Sequence, residues 1–338
     1  MTAGRGRTSV AENTSDQSGD RDLAEGVVIR AGAGTCRVAT ADGILLCRLR
    51  GRLKQGRRQA QNVVVAGDRV RVRALPPEAE DADATGVVEE VLPRRRRLSR
   101  RAARRTGGHI EQVLMANLDQ VVAVQSVAEP APQGTLVDRL LVAAARYGAE
   151  PVLCLNKVDL DPALAADPRW DYYAGLDIPV LRTSAATGEG VADLAHRLRD
   201  RISILLGASG VGKSSLLNAI DPDLDLRTGE VTGKTGLGRH TTTHTELHPL
   251  AGGGFIADSP GLRGFDPWDL PPEELRDCFP DFAEPGLECR FRSCLHRDEP
   301  DCGVKRAVAR GVLPDWRLQA YLDILRDLED RQREVKGY

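Results

Sequence analysis

The chain has 338 residues and a formal net charge of −2; hydrophobic residues make up 41% of it and charged residues 28%. Such fractions are typical of a globular protein, and this length allows two or three domains with separate cores. No apolar run approaches the roughly 20 residues of a membrane-spanning helix. We therefore expect a cytoplasmic protein that does not enter a membrane. Residues 1–23 are polar and fit neither a signal peptide nor a transit peptide, which predicts a disordered tail.

Residues 24–105 are predicted to form a small β domain that ends in a basic linker. Five short β-rich runs are separated by Gly-rich or charged turns, as in a small barrel. With basic flanks, this pattern favours an OB-type barrel, whose open face commonly takes single-stranded nucleic acid. Periodicity by itself does not separate this fold from an SH3-like barrel. The five predicted strands are Val27–Ile29, Ile44–Cys47, Asn62–Val65, Asp68–Val72 and Gly86–Val91.

Basic residues are concentrated in this first domain. Eight arginines lie among the twelve residues 94–105, and a second basic cluster spans residues 48–58. One short run would indicate a solvated face or linker, whereas two clusters with one small β domain favour a polyanion, and we expect RNA. The candidate RNA-binding residues are Arg94, Arg95, Arg96, Arg97, Arg100 and Arg101.

The pattern changes along residues 106–267 to apolar strands that alternate with amphipathic helices. This alternation requires a mostly parallel, doubly wound α/β sheet. Residues 268–338 are predicted to be helical, with an embedded group of Cys and His residues. The predicted strands are Leu118–Val127, Pro151–Leu155, Ile178–Leu181 and Ile202–Leu206, and the predicted helices are Leu136–Tyr147, Val191–Arg201 and Asp315–Arg333.

A phosphate loop, Gly207-x-x-x-x-Gly212-Lys213-Ser214, lies between a predicted strand and a predicted helix. Its glycines allow backbone N–H groups to surround phosphates, and the helix dipole adds to the attraction. Lys213 is expected to reach the β- and γ-phosphates, and the Ser214 hydroxyl to ligate Mg²⁺. Farther along, Asp258-Ser259-Pro260-Gly261 ends an apolar strand. There Asp258 is expected to hold Mg²⁺ through water, and Gly261 to offer its N–H to the γ-phosphate.

The tetrapeptide Asn156-Lys157-Val158-Asp159 indicates which base is bound. The Asp159 carboxylate is able to accept two hydrogen bonds from guanine, whereas adenine would leave it unpaired, which argues against an ATPase. We expect the Lys157 stem to lie over the base and Asn156 to bond the phosphate loop. Ser184 and Ala185 follow the next strand, where a backbone N–H is expected to meet guanine O6.

The order of these motifs is reversed, because the guanine-reading tetrapeptide precedes the phosphate loop. In an ordinary P-loop GTPase the phosphate loop comes first, so one shared site requires a circularly permuted chain. The permutation also places the Asp258–Gly261 motif directly before the C-terminal domain. We therefore expect the nucleotide state to reorient that domain.

A loop of glycines, Arg and threonines at residues 236–243 is predicted to be a switch. Thr242 or Thr243 is expected to ligate Mg²⁺. Many GTPases have a water-orienting Gln after Asp-x-Pro-Gly, but this chain has Leu262, which predicts slow unaided hydrolysis. His240 is the internal candidate for contacting the water, although it could equally touch a partner. The catalytic candidates are His240 and Lys213, and the expected GTP contacts are Asn156, Lys157, Asp159, Ser184, Ala185, Gly207, Ala208, Ser209, Gly210, Val211, Gly212, Lys213, Ser214, Ser215, Thr242, Thr243 and Gly261.

Four side chains of types that commonly bind metals lie within fourteen residues of the C-terminal domain: Cys289, Cys294, His296 and Cys302. Three thiolates and one imidazole match a closed tetrahedral zinc site, which would be structural because no coordination position is open. The odd total of seven cysteines argues against a disulfide framework. Cys36, Cys47 and Cys154 are expected in strands of the core, and Cys278 is ambiguous.

Together these motifs resemble the RsgA family, circularly permuted GTPases that assist late maturation of the 30S ribosomal subunit. The resemblance covers about residues 24–335, and it departs from the family at Ser259 and Leu262, where members often have Thr and Phe. It implies an N-terminal OB domain, a permuted GTPase domain and a C-terminal zinc domain. It also implies GTP hydrolysis stimulated by the 30S subunit, with that subunit and its 16S rRNA as binding partners.

Two alternatives to this function stay open. Whichever function applies, we expect the chain to be a monomer. A related class of permuted GTPases acts on the 50S subunit, although the OB domain and the zinc module argue against it. The chain could also be an RNA-binding placeholder whose nucleotide site only stabilises the fold.

Overall fold

The computed structural model describes residues 23–32, 34–51, 63–76, 84–103, 109–132, 134–226, 245–258 and 270–336. Within these ranges the chain forms an N-terminal barrel, a central α/β domain and a C-terminal helical unit with a Cys/His cluster. No helix in the described part is long and apolar enough to cross a membrane.

Five strands form the barrel, and two pairings identify it as OB-like. β1 pairs with both β2 and β4, and β3 pairs in parallel with β5, so the barrel closes in the order β1-β2-β3-β5-β4. Alternate residues such as Val28, Val38 and Val70 point inward and are fully buried. The strands are β1 Ala24–Ala31, β2 Thr35–Thr40, β3 Gly43–Leu49, β4 Arg69–Ala74 and β5 Gly86–Val91.

One strand predicted for the barrel is wrong. The apolar run predicted as Asn62–Val65 is not a strand in its described part, residues 63–65. The Val65 N–H donates to the Asp68 carboxylate at 2.8 Å, which closes a turn. β2, Thr35–Thr40, is the strand that the prediction missed. Its inward residues are separated by Arg and Ala, so that no apolar run marks it.

The basic run predicted as a linker is partly a strand. β6, Arg97–Ala103, pairs antiparallel with β7, His109–Ala116, as a two-stranded sheet between the barrel and the α/β domain. Leu98 and Met115 are buried opposite each other. This apolar pair gives the hairpin a core-facing side, which the prediction of a basic linker did not include.

The central sheet has the order β10-β9-β8-β11-β13-β12, in which only β12 is antiparallel to its neighbour. One face packs against α1, Gly134–Arg146, and the opposite face against α4, Val191–Leu198, and α5, Lys213–Ile220. β12 also meets β1 at Glu246 and Arg30, which joins barrel and sheet. The strands are β8 Gln120–Ser126, β9 Glu150–Asn156, β10 Val180–Thr183, β11 Ile202–Leu206, β12 Glu246–Pro249 and β13 Phe255–Asp258. The helices are α1 Gly134–Arg146, α2 Pro162–Ala165, α3 Pro168–Ala174, α4 Val191–Leu198, α5 Lys213–Ile220 and the 3-10 turn Pro222–Leu224.

The C-terminal unit packs against α1 through a buried ionic network. Arg317 at the start of α8 donates to Asp138 of α1 and to Asp281, and all three are almost fully buried. Its guanidinium also lies 4.2 Å from the centre of the Phe279 ring. The elements are α6 Ala283–Leu287, α7 Gly303–Ala309, α8 Asp315–Lys336 and the 3-10 helices Pro272–Cys278 and Pro280–Phe282.

Candidate nucleotide site and metal centre

The nucleotide motifs meet because parallel strands bring their carboxyl ends to one edge of the sheet. β9 ends at Asn156, β10 at Thr183, β11 at Leu206 and β13 at Asp258. Ligands of open α/β sheets bind in the crevice outside these strand ends. The structure thus places the guanine-reading tetrapeptide, the Ser184 loop, the phosphate loop and the start of the Asp258 motif at the same edge.

The phosphate loop, residues 207–214, is shaped by its glycines. Gly210 and Gly212 have φ angles of +81° and +94°, in the left-handed region that L side chains rarely adopt. A Cβ atom on Gly212 would lie 2.3 Å from Nδ2 of Asn156, and one on Gly207 would lie 2.1 Å from the Val124 carbonyl oxygen. The loop therefore packs directly on the neighbouring strand ends, and neither position has room for a side chain.

Lys213 is the first residue of α5 and turns back toward the loop. Its ammonium donates to the carbonyls of Gly207 at 2.9 Å and Ala208 at 2.8 Å. Burial lowers the pKa of Lys213. Ser214 and Ser215 follow in the first turn of α5 and are half-buried. The first turn of α5 therefore carries an ammonium and two hydroxyls, and the N–H groups of a helix N-terminus suit a bound polyphosphate.

Asn156 joins three of the motifs. Its side chain is fully buried and donates from Nδ2 to the Val211 carbonyl of the phosphate loop at 2.8 Å. Its Oδ1 accepts a hydrogen bond from the Thr183 hydroxyl at 3.2 Å. The expected bond between Asn156 and the phosphate loop is therefore present, and the end of β10 is fastened to the same amide.

The base-reading side of the site is held by main-chain bonds. The Val158 N–H donates to the Thr183 carbonyl at 3.2 Å, which sets the tetrapeptide beside the next strand end. Ser184 is buried, and its Oγ accepts from the Thr187 N–H at 3.1 Å. Asp159 is exposed to solvent, which its predicted contact with a base requires.

A turn after β8 also belongs to this edge, and the sequence analysis did not identify it. Residues 126–130 lie between the guanine-reading tetrapeptide and the phosphate loop, since β8 is the strand between β9 and β11. Lys157 donates from Nζ to the Glu129 carbonyl in this turn. The only local signal was a Ser at a strand end followed by a Pro, which is common in ordinary turns.

Several predicted residues lie outside the described part of the chain. His240, Thr242, Thr243 and Gly261 fall within residues 227–244 and 259–269, so their assigned roles stay predictions. Asp258 is described through its main chain as the last residue of β13.

The predicted zinc ligands come together in the C-terminal unit. The candidate ligand atoms of Cys289, Cys294, His296 and Cys302 all lie within 4.8 Å of one another. Tetrahedral zinc with Zn–S bonds of about 2.3 Å requires ligand atoms about 3.8 Å apart. Nδ1 of His296 lies 3.4 Å from Sγ of Cys302 and 3.6 Å from Sγ of Cys289, and the two sulfurs are 3.9 Å apart. The residues therefore fit a closed four-ligand site.

Surrounding groups hold the ligands in place. The Gly303 N–H donates to Sγ of Cys289 at 3.2 Å, a contact that suits a thiolate. The Glu299 carboxylate accepts from the N–H groups of Leu295 at 2.7 Å and Arg297 at 2.9 Å, which closes the loop around His296. The sequence analysis missed both supporting residues, because a Gly and a Glu in a loop have no distinctive signal.

The other cysteines are packed in the interior. Cys36, Cys47 and Cys154 are buried in β2, β3 and β9, as expected. Burial raises the pKa of Cys36 to about 12 and of Cys47 to about 11, so both stay uncharged thiols. Cys278 is partly buried, and burial raises its pKa to about 11.

The structure separates the candidate RNA-binding arginines into different groups. The Arg94 side chain is only 8% exposed and donates to the fully buried Asp68 at 2.6 and 2.8 Å. Its prediction as an RNA ligand is therefore corrected, because this guanidinium is already paired inside the protein. Arg96 is half-buried beside Asp119, whereas Arg95 and Arg97 are exposed. Arg100 and Arg101 lie in β6, and their side chains are outside the described part.

Comparisons with known proteins agree with this geometry. The model of the RsgA GTPase family matches residues 91–268, and that of the RsgA N-terminal domain matches residues 25–80. A Caldanaerobacter subterraneus subsp. tengcongensis protein named small ribosomal subunit biogenesis GTPase RsgA is 38% identical over 310 residues, 91% of this chain and 97% of its own. A Gemmatimonas aurantiaca protein of the same name is 40% identical over 308 residues, covering 90% and 98%.

Two solved structures are similar over nearly the whole chain. The crystal structure of YjeQ from Thermotoga maritima has a TM-score of 0.70 and 34% identity, covering 90% of this chain and 98% of its own. YloQ, described as a circularly permuted GTPase, has a TM-score of 0.69 and 29% identity, covering 94% and 99%.

Proposed function

The chain belongs to the RsgA family of GTPases, and from this premise we propose that it binds the 30S ribosomal subunit and assists its late maturation. On the subunit it hydrolyses GTP to GDP and phosphate, acting as a monomer. Its functional domains are residues 24–105, 106–267 and 268–338. The printed names of its relatives, which specify small ribosomal subunit biogenesis, support the choice of subunit.

The observation that carries the nucleotide assignment is the position of Asn156. One buried amide bonds the phosphate loop and the end of β10, at the start of the guanine-reading tetrapeptide itself. Such a junction places the tetrapeptide that reads the base and the loop that holds the phosphates in a single site. Asp159 is the exposed acid beside this junction, and it accepts the two guanine donors.

Within this site the chain's groups have separate tasks. Lys213 and the loop N–H groups hold the β- and γ-phosphates. The hydroxyls of Ser214 and of Thr242 or Thr243 would be ligands of Mg²⁺, and Asp258 would hold the ion through water. Bound Mg²⁺ neutralises charge that develops on the phosphate oxygens. Because Leu262 replaces the usual water-orienting Gln, unaided turnover is slow, and either His240 or a ribosomal group completes the site.

The other two domains bind the subunit or support that binding. The four ligands in the C-terminal unit hold one structural Zn²⁺, which the ligand distances support. On the N-terminal side, Arg95 and Arg97 are exposed beside the OB-like barrel and contact rRNA phosphates. Binding through phosphates weakens as salt concentration rises.

Turnover tests the function directly. GTP hydrolysis is measured with the full chain alone, with purified 30S subunits and with purified 50S subunits. We expect slow turnover alone, a large increase with 30S and little change with 50S. An increase with 50S only would assign the chain to the other subunit. If GTP binds and is never hydrolysed, even with 30S, the chain is an RNA-binding placeholder.

Changing Asp159 tests base recognition in the same assay. Asp159→Asn replaces an acceptor pair by an amide, and each hydrogen bond to a charged group contributes about 1.5–3 kcal/mol. GDP affinity should fall about 100-fold, and affinity for xanthosine diphosphate should rise, since xanthine has a carbonyl where guanine has its amine. Asp161→Asn, two residues along and also near the surface, should leave both affinities unchanged. Equal losses in the two variants would contradict the assignment.

A further inference from the structure

The turn after β8, residues 126–130, is held by one side chain. Ser126 is the last residue of β8 and is fully buried. Its Oγ donates to the Glu129 carbonyl at 2.9 Å and accepts from the Ala128 N–H at 3.3 Å. These two bonds fix the direction of the Glu129 carbonyl relative to the strand.

The same turn contacts both halves of the nucleotide site. The Val127 N–H donates to the Asn156 carbonyl at 3.1 Å, so the turn is fastened to the guanine-reading tetrapeptide. On its other side, Cδ of Pro130 lies 3.7 Å from the position that a Cβ on Gly210 would take. The turn therefore spans the gap between the tetrapeptide and the phosphate loop.

Lys157 ends on this turn. Its main chain is left-handed, with φ of +63°, and its Nζ donates to the Glu129 carbonyl. Its Cε lies 4.0 Å from the position of a Cβ on Gly212, so the aliphatic stem crosses beside the phosphate loop. The Glu129 carbonyl thus accepts from two donors, the Ser126 hydroxyl and the Lys157 ammonium.

We propose that Ser126 is a positioning residue for guanine nucleotides, which acts by fixing the carbonyl that anchors Lys157. A free lysine side chain has many rotamers, and ordering it upon binding weakens affinity. Anchored in advance, the Lys157 stem is already extended along the base side of the site. This inference rests on the proposed nucleotide site and adds a part that lies outside its sequence motifs.

Thr40 provides a matched control, because the same pair of bonds occurs far from the site. In the β2–β3 hairpin of the barrel, Thr40 Oγ1 donates to the Gly43 carbonyl at 2.9 Å and accepts from the Asp42 N–H at 3.3 Å. Thr40→Ala removes an equivalent pair of side-chain hydrogen bonds from a turn. It should affect local stability without changing the affinity for nucleotides.

The first measurement is the affinity of the full chain for fluorescent GDP. Ser126→Ala should weaken binding about threefold to tenfold, the range expected when one long side chain must be ordered upon binding. Because GDP and a non-hydrolysable GTP analogue share the guanine base, binding of the analogue should be weakened by the same factor. With 30S present, KM for GTP should rise and kcat should stay unchanged. Thr40→Ala should match the wild-type chain in all three measurements.

A double-mutant cycle with Lys157→Met tests the route of the effect. If Ser126 acts through Lys157, Ser126→Ala should change GDP affinity less than about twofold in the Lys157→Met background. Ser126→Cys has a similar side-chain volume and a weaker hydrogen-bond donor. It replaces Ser126→Ala in each measurement if Ser126→Ala does not fold. The inference is overturned if Ser126→Ala binds GDP within about twofold of the wild type. It is also overturned if Ser126→Ala causes the same loss of affinity in the Lys157→Met background as in the wild-type chain. A wild-type chain that binds no GDP would refute the nucleotide site instead.

Discussion

Replacing Arg317 by Met should strongly destabilise the contact between the C-terminal unit and the α/β domain. Arg317 donates to both oxygens of Asp281, at 2.8 and 3.1 Å, and to Oδ1 of Asp138. Tyr173 and Tyr172 add one hydroxyl bond each, to Asp138 at 2.8 Å and to Asp281 at 2.9 Å. The guanidinium is thus the cation that two buried carboxylates share.

The expected cost follows from what the variant leaves behind. Met conserves most of the volume, so the loss is mainly electrostatic. Asp138 and Asp281 would remain buried without a cation, and Oδ2 of Asp138 already has no hydrogen-bond partner within the described structure. Removing one partner of a buried ion pair costs about 3–5 kcal/mol. This is a large part of the roughly 5–15 kcal/mol that stabilises a typical domain.

Arg139→Met is the matched control, because Arg139 pairs with Asp327 between the same two helices but nearer to solvent. Such pairs contribute up to about 1 kcal/mol. Urea unfolding followed by circular dichroism should therefore separate the two variants by at least about 2 kcal/mol. If Arg317→Met is no less stable than Arg139→Met, the network does not hold the C-terminal unit in place.

The defect of Arg317→Met should also depend on pH. Burial raises the pKa of Asp138, against the opposing effects of Arg317 and Tyr173. An acid whose pKa is higher in the folded state holds its proton more tightly there than in the unfolded chain. Its contribution to stability therefore decreases as the pH rises above about 3.9, the pKa of Asp in the unfolded chain. Without Arg317 the pKa rises further. The stability difference from the wild type should therefore shrink from pH 8 to pH 5, and a constant difference would contradict this reasoning.

Three further predictions concern the glycines and the metal. Gly212→Ala should abolish measurable GDP binding in a titration, since its Cβ would lie 2.3 Å from Nδ2 of Asn156. The control Gly34→Ala should bind GDP normally, because Gly34 has a similar φ of +99° but open space around it. Gly303→Ala should lower the zinc content of the purified chain, because its Cβ would lie 2.0 Å from a main-chain carbonyl oxygen, while the unobstructed Gly286→Ala should retain one zinc per chain. Chelator treatment should remove that zinc and lower the thermal stability of the C-terminal unit; an unchanged melting curve would exclude a structural metal.

The buried network also bears on how nucleotide state reaches the C-terminal unit. The reversed motif order predicts that this unit is reoriented by the switch, and that prediction stays open. Because Arg317 joins α8 to Asp138 of α1, any large reorientation would have to break this buried ion pair and the hydrogen bond from Tyr172 to Asp281. The expected motion is therefore one in which α1 and α8 move together.

The nucleotide motifs, their permuted order and the Cys/His cluster were predictable from the sequence alone. Each depends on residue types at short spacing, as in Gly207–Ser214 or Cys289–Cys302, where local backbone geometry and ligand chemistry determine the arrangement. The parallel strands were predictable for a similar reason, since buried strands are continuous apolar runs.

Only the tertiary structure decided which polar groups pair with each other. Arg94 meets Asp68, 26 residues away, and Arg317 meets Asp138, 179 residues away. A basic run in the sequence therefore contained one buried structural residue beside exposed ones. Likewise, Ser126 lies between the two groups of predicted nucleotide-binding residues only because β8 lies between β9 and β11. Such partners are chosen by chain packing over long separations, and local sequence patterns do not encode them.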